Sequence, residues 1–222
     1  MTPAGFLIFD LDGTLIDSSA GVVDAVNYSL RMAGQAERSH DDISKYIGYP
    51  LKSMYADFGV GPFAELYRYF QDRATHTVVS SSILLEGAGE TVAELRRQGW
   101  RMAIATTKVR RHVEAIVDKF GWRDTFDVLV GGDDVAKVKP DPEAFHLAMQ
   151  RLGADPAETV VVGDTVNDVH AARAIPVTVV AVRSPYGGEA DLRASGPDYV
   201  IDKIAQLPLL LGNANLLRKE AR

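Results

Sequence analysis

Five short, nearly uniform apolar runs recur along the chain and constrain its fold more than any other feature. They cover residues 6–9, 102–105, 128–130, 159–162 and 177–182. Runs of this length that are rich in β-branched residues and do not alternate with polar ones are typical of strands buried on both faces, as in a parallel sheet. From residue 87 onward the runs alternate with segments of helical spacing. This pattern predicts a doubly wound α/β fold with a parallel sheet.

Helices are predicted in the segments between these strands. Apolar residues recur at helical spacing in residues 90–98, before Gly99, and again in residues 112–120. The sequence from Asp141 to Glu143 indicates another helix start, with an acidic N-cap and a proline at the first helical position. That helix is expected to end at Gly153.

Residues 16–85 interrupt the alternation, because they contain four apolar stripes of helical spacing and no convincing strand. The stripes consist of Val22, Val23, Val26 and Leu30; Ile43 and Ile47; Leu51, Met54, Tyr55 and Phe58; and Leu66, Tyr67, Tyr69 and Phe70. We predict a small helical bundle over 16–85, inserted into a core formed by 1–15 and 86–222. The two ends of such an insertion should lie close together. Residues 213–222 are predicted to form a short helix or a frayed tail.

Composition excludes several classes of protein. The net charge of −6 argues against a nucleic-acid binder, which usually presents a basic face. The chain has no cysteine, so it can form neither a disulfide nor a thiolate zinc site. It has no basic start followed by a long apolar segment, and no run of about 20 apolar residues, so we expect a cytoplasmic protein without a membrane span. The sequence leaves the oligomeric state open between a monomer and a homodimer.

The first apolar run leads directly into Asp10-Leu11-Asp12-Gly13-Thr14. Side chains at the carboxyl end of an α/β strand lie where such folds bind ligands. Two adjacent carboxylates there repel one another, and a divalent cation would neutralise them. A carboxylate can also act as a nucleophile that accepts a phosphoryl group. Gly13 allows the sharp turn that brings both acids to one site.

Three further segments follow later strands in a similar way: Thr106, Lys139-Pro140, and residues 163–168, which include Asp164 and Asp168. Each has an ordinary structural interpretation when it is considered alone. Thr106 is a strand-end residue and Lys139 a surface lysine. Asp164 would cap the following helix and Asp168 would complement its dipole.

Together and in this order, the four segments resemble the motifs of the haloacid dehalogenase-like hydrolase superfamily. The helical insertion between the first two resembles that of its phosphoglycolate phosphatase-like branch. The resemblance spans essentially the whole chain; its first motif is highly specific and its fourth fairly specific. It implies a Rossmann-like core with a helical cap, and a Mg²⁺-dependent phosphatase whose partner is a small phosphorylated metabolite.

The resemblance also implies roles for individual residues. Asp10 would attack phosphorus, and Asp12 would protonate the leaving oxygen and later deprotonate the attacking water. Mg²⁺ would be held by the carboxylates of Asp10 and Asp164 and by the main-chain carbonyl of Asp12. Asp168 would hold a metal-bound water or orient Lys139.

Substrate contacts are predicted on both parts of the chain. The Thr106 hydroxyl would bind phosphoryl oxygens, and Lys139 would offset the charge of the nucleophile and transition state. Thr107 is also predicted to contact substrate, although it stands where the branch commonly has asparagine. Tyr49 and Lys45, at the loop of residues 48–51, are candidates for contact with the substrate from the insertion.

Asp17 and Ser18 match a frequent continuation of the first motif, and we interpret them as residues that place the first inserted helix. The function expected by resemblance is hydrolysis of a small phosphomonoester, similar to phosphoglycolate, through a phosphoaspartyl intermediate. One alternative is a sugar-phosphate mutase of the β-phosphoglucomutase kind. Another is a catalytically silent ligand-binding module of the same fold.

Overall fold

A computed structural model describes residues 4–212, so the predicted tail helix at 213–222 lies outside the described residues. The strands within that range are β1 (Phe6–Phe9), β2 (Ile16–Asp17), β3 (Ile83–Leu84), β4 (Arg101–Ala105), β5 (Val128–Val130), β6 (Thr159–Gly163), β7 (Thr178–Val182) and β8 (Tyr199–Ile201). The helices are α1 (Ser19–Met32), α2 (His40–Ser44), α3 (Leu51–Asp57), α4 (Phe63–Ser81), α5 (Ala88–Arg97), α6 (Arg110–Lys119), α7 (Glu143–Leu152), α8 (Val166–Arg173), α9 (Glu189–Ala194) and α10 (Leu207–Gly212).

Six parallel strands form one sheet in the order β5-β4-β1-β6-β7-β8, which confirms the predicted α/β fold. The chain runs from β1 out to β4 and β5, and then returns to β6 on the other side of β1. The strand order therefore reverses at β1, and ligands in such folds bind at the carboxyl ends of the strands beside that reversal. β1 is buried along its whole length because both neighbouring strands and both helical layers cover it.

Helices cover both faces of this sheet. Apolar side chains of α5, α6 and α10 pack on one face, where Leu95 and Ile116 are fully buried. Side chains of α7, α8 and α9 pack on the other face, around Phe145 and Ala171. Among residues 4–212, no helix combines the length and the apolar character that crossing a membrane requires.

The segment between β2 and β3 folds into α1–α4 around an apolar core of its own, which includes Leu30, Ile43, Tyr55 and Leu66. The expectation that residues 16–85 hold no strand was wrong. Ile16 pairs with Leu84, and Asp17 with Ile83, in a two-residue antiparallel ladder. Strands this short have no periodicity to detect. The pairing places the two ends of the inserted segment side by side, as expected.

One further strand and several element boundaries differ from the prediction. β8 was not predicted, because it is a three-residue edge strand whose first residue, Tyr199, is exposed. α2 ends at Ser44, before Ile47. α7 begins at Glu143 with Pro142 in the N-cap position, one residue later than predicted, and the Glu143 backbone N–H donates to the Asp141 carboxylate.

Candidate active site

Three strand ends bring acidic and hydroxyl side chains to the carboxyl edge of the sheet, beside the reversal at β1. Asp10 follows β1, Thr106 follows the neighbouring strand β4, and Asp164 follows β6 on the other side. Lys139 comes from the loop between β5 and α7, and Asp168 lies in the first turn of α8. All five side chains are buried.

Lys139 joins two of these carboxylates. Its Nζ atom donates to Asp10 Oδ1 at 2.5 Å, to Asp168 Oδ1 at 2.6 Å and to the Ala105 carbonyl oxygen at 3.1 Å, so all three ammonium protons have an acceptor. Burial disfavours the charged form of Lys139, but the two carboxylates outweigh this effect and raise its pKa. Lys139 is therefore a fixed cation within the cluster, and the surface-lysine interpretation was wrong.

Asp168 holds this cation in place and also caps a helix. Its Oδ2 atom accepts from the Thr165 backbone N–H at 2.9 Å and from the Thr165 hydroxyl at 2.6 Å, while Oδ1 accepts from Lys139. Thr165, rather than Asp164, is the N-cap of α8. Of the two roles predicted for Asp168, the orientation of Lys139 is the one that these contacts support.

Asp164 does not cap a helix, and one of its carboxylate oxygens has no hydrogen-bond partner. The Thr14 hydroxyl donates to Asp164 Oδ1 at 2.8 Å. Asp164 Oδ2 and Asp10 Oδ2 are both buried without a hydrogen-bond partner. Gly13 has a φ of +87°, and a Cβ atom there would lie 2.1 Å from Asp164 Oδ2, so only glycine fits this turn.

The unpaired oxygens fit a divalent cation. One carboxylate oxygen from each of Asp10, Asp164 and Asp168 lies within 4.8 Å of the others. Burial raises the pKa of Asp10 to about 7, although Lys139 opposes the rise. Burial, with the charges of Asp10 and Asp168, also raises the pKa of Asp164 well above its usual range. Mg²⁺ is bound by oxygen donors, commonly one or two carboxylates together with waters and substrate phosphates, so the unpaired oxygens of Asp10 and Asp164 fit this ion.

The Asp12 carboxylate belongs to a different set of contacts. Its Oδ2 atom lies 3.2 Å from Lys108 Nζ, and its Oδ1 atom accepts from the Ser18 hydroxyl. Ser18 occupies the N-cap position of α1, but its side chain makes no capping bond and contacts Asp12 instead. Asp17 does bond the Ser19 backbone N–H, at 2.8 Å.

Lys108 is a site residue that the sequence analysis missed. It lies two residues after Thr106, and its backbone N–H donates to the Thr106 hydroxyl oxygen at 3.3 Å. The Thr107 hydroxyl lies 3.4 Å from the Gly48 carbonyl oxygen, so it contacts the inserted helices. The sequence does show a basic residue two positions after Thr106, and this could have indicated a site residue. Only the fold shows that Lys108 pairs with Asp12.

Two of the cavities between the inserted segment and the core reach acidic residues of the candidate site. The larger has a volume of about 240 Å³ and is lined by Asp12, Thr107 and Lys108 together with α1, α3 and α4. The smaller, of about 210 Å³, reaches Asp164. Tyr49 lines both cavities, whereas Lys45 is exposed and lines only the smaller one.

The chain is similar to other proteins over nearly its full length. It is 34% identical over 212 residues to pyrophosphatase PpaX from Bacillus mycoides, covering 94% of this chain and 97% of the relative. A crystal structure from Bacteroides fragilis, assigned to the haloacid dehalogenase-like hydrolases, superposes with a TM-score of 0.86 at 30% identity, covering 91% of this chain and 99% of that one. A predicted phosphoglycolate phosphatase from Haemophilus somnus superposes with a TM-score of 0.81 at 25% identity, covering 95% and 99%.

The family comparison covers the strands that form the site. Residues 7–182 match the family described as haloacid dehalogenase-like hydrolase. This range includes the carboxyl ends of β1, β4 and β6, which carry Asp10, Thr106 and Asp164. With the match extending from the first motif to the end of β7, the chain is an enzyme that belongs to the haloacid dehalogenase-like hydrolase family.

Proposed function

We propose that this chain is a Mg²⁺-dependent phosphatase that hydrolyses a small phosphomonoester through a phosphoaspartyl intermediate on Asp10. The observation that carries the proposal is the pair of buried, unpaired carboxylate oxygens on Asp10 and Asp164, with the fixed ammonium of Lys139 beside them. A bound cation would pair with the free carboxylate oxygens, and an anionic phosphoryl group would be attracted by that cation and by Lys139. The resemblance to phosphatases and the name of the PpaX relative agree with this class of reaction.

In the first step, a carboxylate oxygen of Asp10 attacks phosphorus and the bond from phosphorus to the leaving oxygen breaks. Lys139 holds the Asp10 carboxylate in position and offsets the charge that gathers near it. Asp12 donates its proton to the leaving oxygen, so that an alcohol departs. The Thr106 hydroxyl, which follows the end of β4, binds a phosphoryl oxygen in this proposal.

In the second step, Asp12 takes a proton from water while the water oxygen attacks phosphorus. The bond between phosphorus and the Asp10 oxygen breaks, which releases inorganic phosphate and restores both carboxyl groups. Ser18 and Lys108 position Asp12 for these two proton transfers. Asp10 and Asp164, whose carboxylates each have an unpaired oxygen, would hold Mg²⁺, with Asp168 close enough to hold a metal-bound water; the cation when bound would supply positive charge to the phosphoryl oxygens.

Phosphate release from an aryl phosphate tests the proposal directly. We expect turnover with Mg²⁺, none after chelation with EDTA, and recovery when Mg²⁺ is restored. The Asp10→Asn protein should be inactive and still folded. Turnover that persists in chelator would contradict the metal requirement, and turnover by Asp10→Asn would identify another nucleophile.

A screen of phosphorylated metabolites addresses the substrate. Phosphoglycolate is the substrate suggested by resemblance, and pyrophosphate is the one suggested by the name of the PpaX relative. β-Glucose 1-phosphate, with glucose 1,6-bisphosphate as activator, separates a mutase from a phosphatase, because a mutase returns the phosphoryl group to the sugar and releases no phosphate.

A further inference from the structure

The larger cavity lies beside the residue that acts as proton donor in the proposed reaction. Asp12 lies on its wall, whereas Asp10 and Asp164 do not, and the smaller cavity is the one that reaches Asp164. Asp12 is the group that protonates the leaving oxygen. The space beside Asp12 is therefore where the remainder of the substrate lies, and we name this 240 Å³ cavity the leaving-group pocket.

The walls of the leaving-group pocket are mainly apolar and aromatic. Five aromatic side chains line it: Tyr46, Tyr49, Phe63, Tyr67 and Phe70. Phe63 and Tyr67 pack together with ring centroids 5.4 Å apart. The Tyr46 hydroxyl donates to Asp57 at 2.9 Å, so its polar atom already has a partner. Aromatic walls favour contact with another ring.

Charged groups are few in this pocket. Its cationic lining residues are Lys108, which is paired with Asp12, and Lys52, which is exposed. His112 also lines the pocket; burial and the nearby cations Lys108 and Arg111 lower its pKa to about 4, so its ring is uncharged at pH 7. A leaving group that carries its own anionic charge would lose hydration here, and exposed Lys52, whose charge is screened by water, would offset only part of that loss.

We propose that the substrate of this chain is a phosphomonoester whose leaving group is a single apolar ring, rather than pyrophosphate or phosphoglycolate. This inference rests on the proposed phosphatase function, because that function makes Asp12 the proton donor to the leaving group. The size agrees: an apolar protein cavity of about 150 Å³ holds a benzene molecule. The leaving-group pocket, at about 240 Å³, has room for a ring and its linking carbon.

Benzyl phosphate and ethyl phosphate provide a matched pair for the test. Both release a primary alcohol, so the demand on Asp12 is similar and the apolar area of the leaving group is the main difference. We expect kcat/KM with Mg²⁺ to be at least about tenfold higher for benzyl phosphate, because the ring is buried against apolar walls. It should also exceed kcat/KM for pyrophosphate and for phosphoglycolate.

The same series separates two kinds of failure. If no phosphomonoester is hydrolysed, the proposed function fails and the pocket assignment fails with it. If both esters are hydrolysed with similar kcat/KM, or if pyrophosphate or phosphoglycolate exceeds benzyl phosphate, the phosphatase stands and the ring preference is overturned. The series uses the unmodified protein, so it does not depend on the folding of a variant.

Two neighbouring valines of α1 offer a matched pair of variants. Both are half-buried, but Val22 lines the leaving-group pocket and Val23 does not. Val22→Phe should fill the pocket and lower the benzyl-to-ethyl ratio of kcat/KM at least about fivefold, mainly through a higher KM for benzyl phosphate. Val23→Phe should leave that ratio unchanged. An unchanged ratio in Val22→Phe, or an equal fall in both variants, would overturn the assignment of this pocket.

Discussion

The replacement Asp10→Asn should stabilise the metal-free protein while it abolishes turnover. Burial raises the pKa of Asp10 from its ordinary 3.8 to about 7, so its charged form is unfavourable in the folded state. Between these two pH values the folded protein holds a proton that the unfolded chain releases. The free energy of unfolding therefore falls as the pH rises from about 4 to 7, and stays low above that.

The size of the effect follows from the raised pKa. A rise of about three pKa units, at about 1.4 kcal/mol for each unit, amounts to about 4 kcal/mol at pH 8. Asp10 is only 2% exposed, so solvent does little to screen this cost. At pH 5 the unfavourable charge costs only about 2 kcal/mol, because the folded protein retains most of the proton. Asparagine removes the charge and keeps the shape, so the variant should gain these amounts.

Thermal unfolding of metal-free protein at pH 5 and pH 8 measures this gain. A change of 1 kcal/mol moves Tm by about 2–4 °C in a chain of this length, so Asp10→Asn should melt roughly 10 °C higher than the unchanged protein at pH 8. Asp124→Asn removes an exposed charge and should change stability by less than about 0.5 kcal/mol. An unchanged Tm at pH 8, or a gain as large at pH 5, would refute the reasoning.

Three further predictions concern the cation and the proton donor. Asp12→Asn should lower kcat/KM, which reports the step that releases the leaving group, by about 10²–10⁴-fold for alkyl phosphates and less for aryl phosphates, whose phenolates leave without a proton; steady-state kinetics with both substrates measures the difference. Mg²⁺ at about 100 times its Kd should stabilise the protein by about 2.7 kcal/mol, a Tm rise of about 5–10 °C that Asp164→Asn should lose and Asp124→Asn should keep. Thr14→Val removes the hydroxyl that donates to Asp164 and should weaken Mg²⁺ binding about 10–100-fold in calorimetry; unchanged affinity would show that this bond does not orient the ligand.

The sequence predicts the central sheet well, because its strands are apolar on both faces and leave a clear signal. β1, β5 and β6 lie within a residue of their predicted bounds. Three strands were missed: β2 and β3 have only two residues each, and β8 has three and begins at exposed Tyr199. Their pairing comes from the fold around them, which a local pattern does not contain.

The residues of the candidate site were found for a similar reason. Asp10 and Asp164 each follow a buried strand directly, and parallel strands place their carboxyl ends at one edge. Lys139 follows a loop instead, so no buried strand leads into it, and it was predicted only from its place in the order of the motifs and from the proline after it. Ser18 and Lys108 were misread or missed because their contact with Asp12 depends on how the inserted helices and the loop after β4 approach each other.

Burial of the acidic cluster links the stability of this protein to its chemistry. The strands beside the reversal at β1 are covered on both faces, so a carboxylate at their ends is removed from most water. The same burial that makes the charge of Asp10 costly leaves Asp10 Oδ2 and Asp164 Oδ2 unpaired and available to a cation. An exposed cluster would cost less free energy in the metal-free protein, but it would also bind a cation less strongly, because water screens the attraction. The stabilisation and the loss of turnover expected for Asp10→Asn are therefore two consequences of one arrangement. An Asp10→Asn protein that was no more stable and still turned over substrate would contradict the burial argument and the proposed role of Asp10.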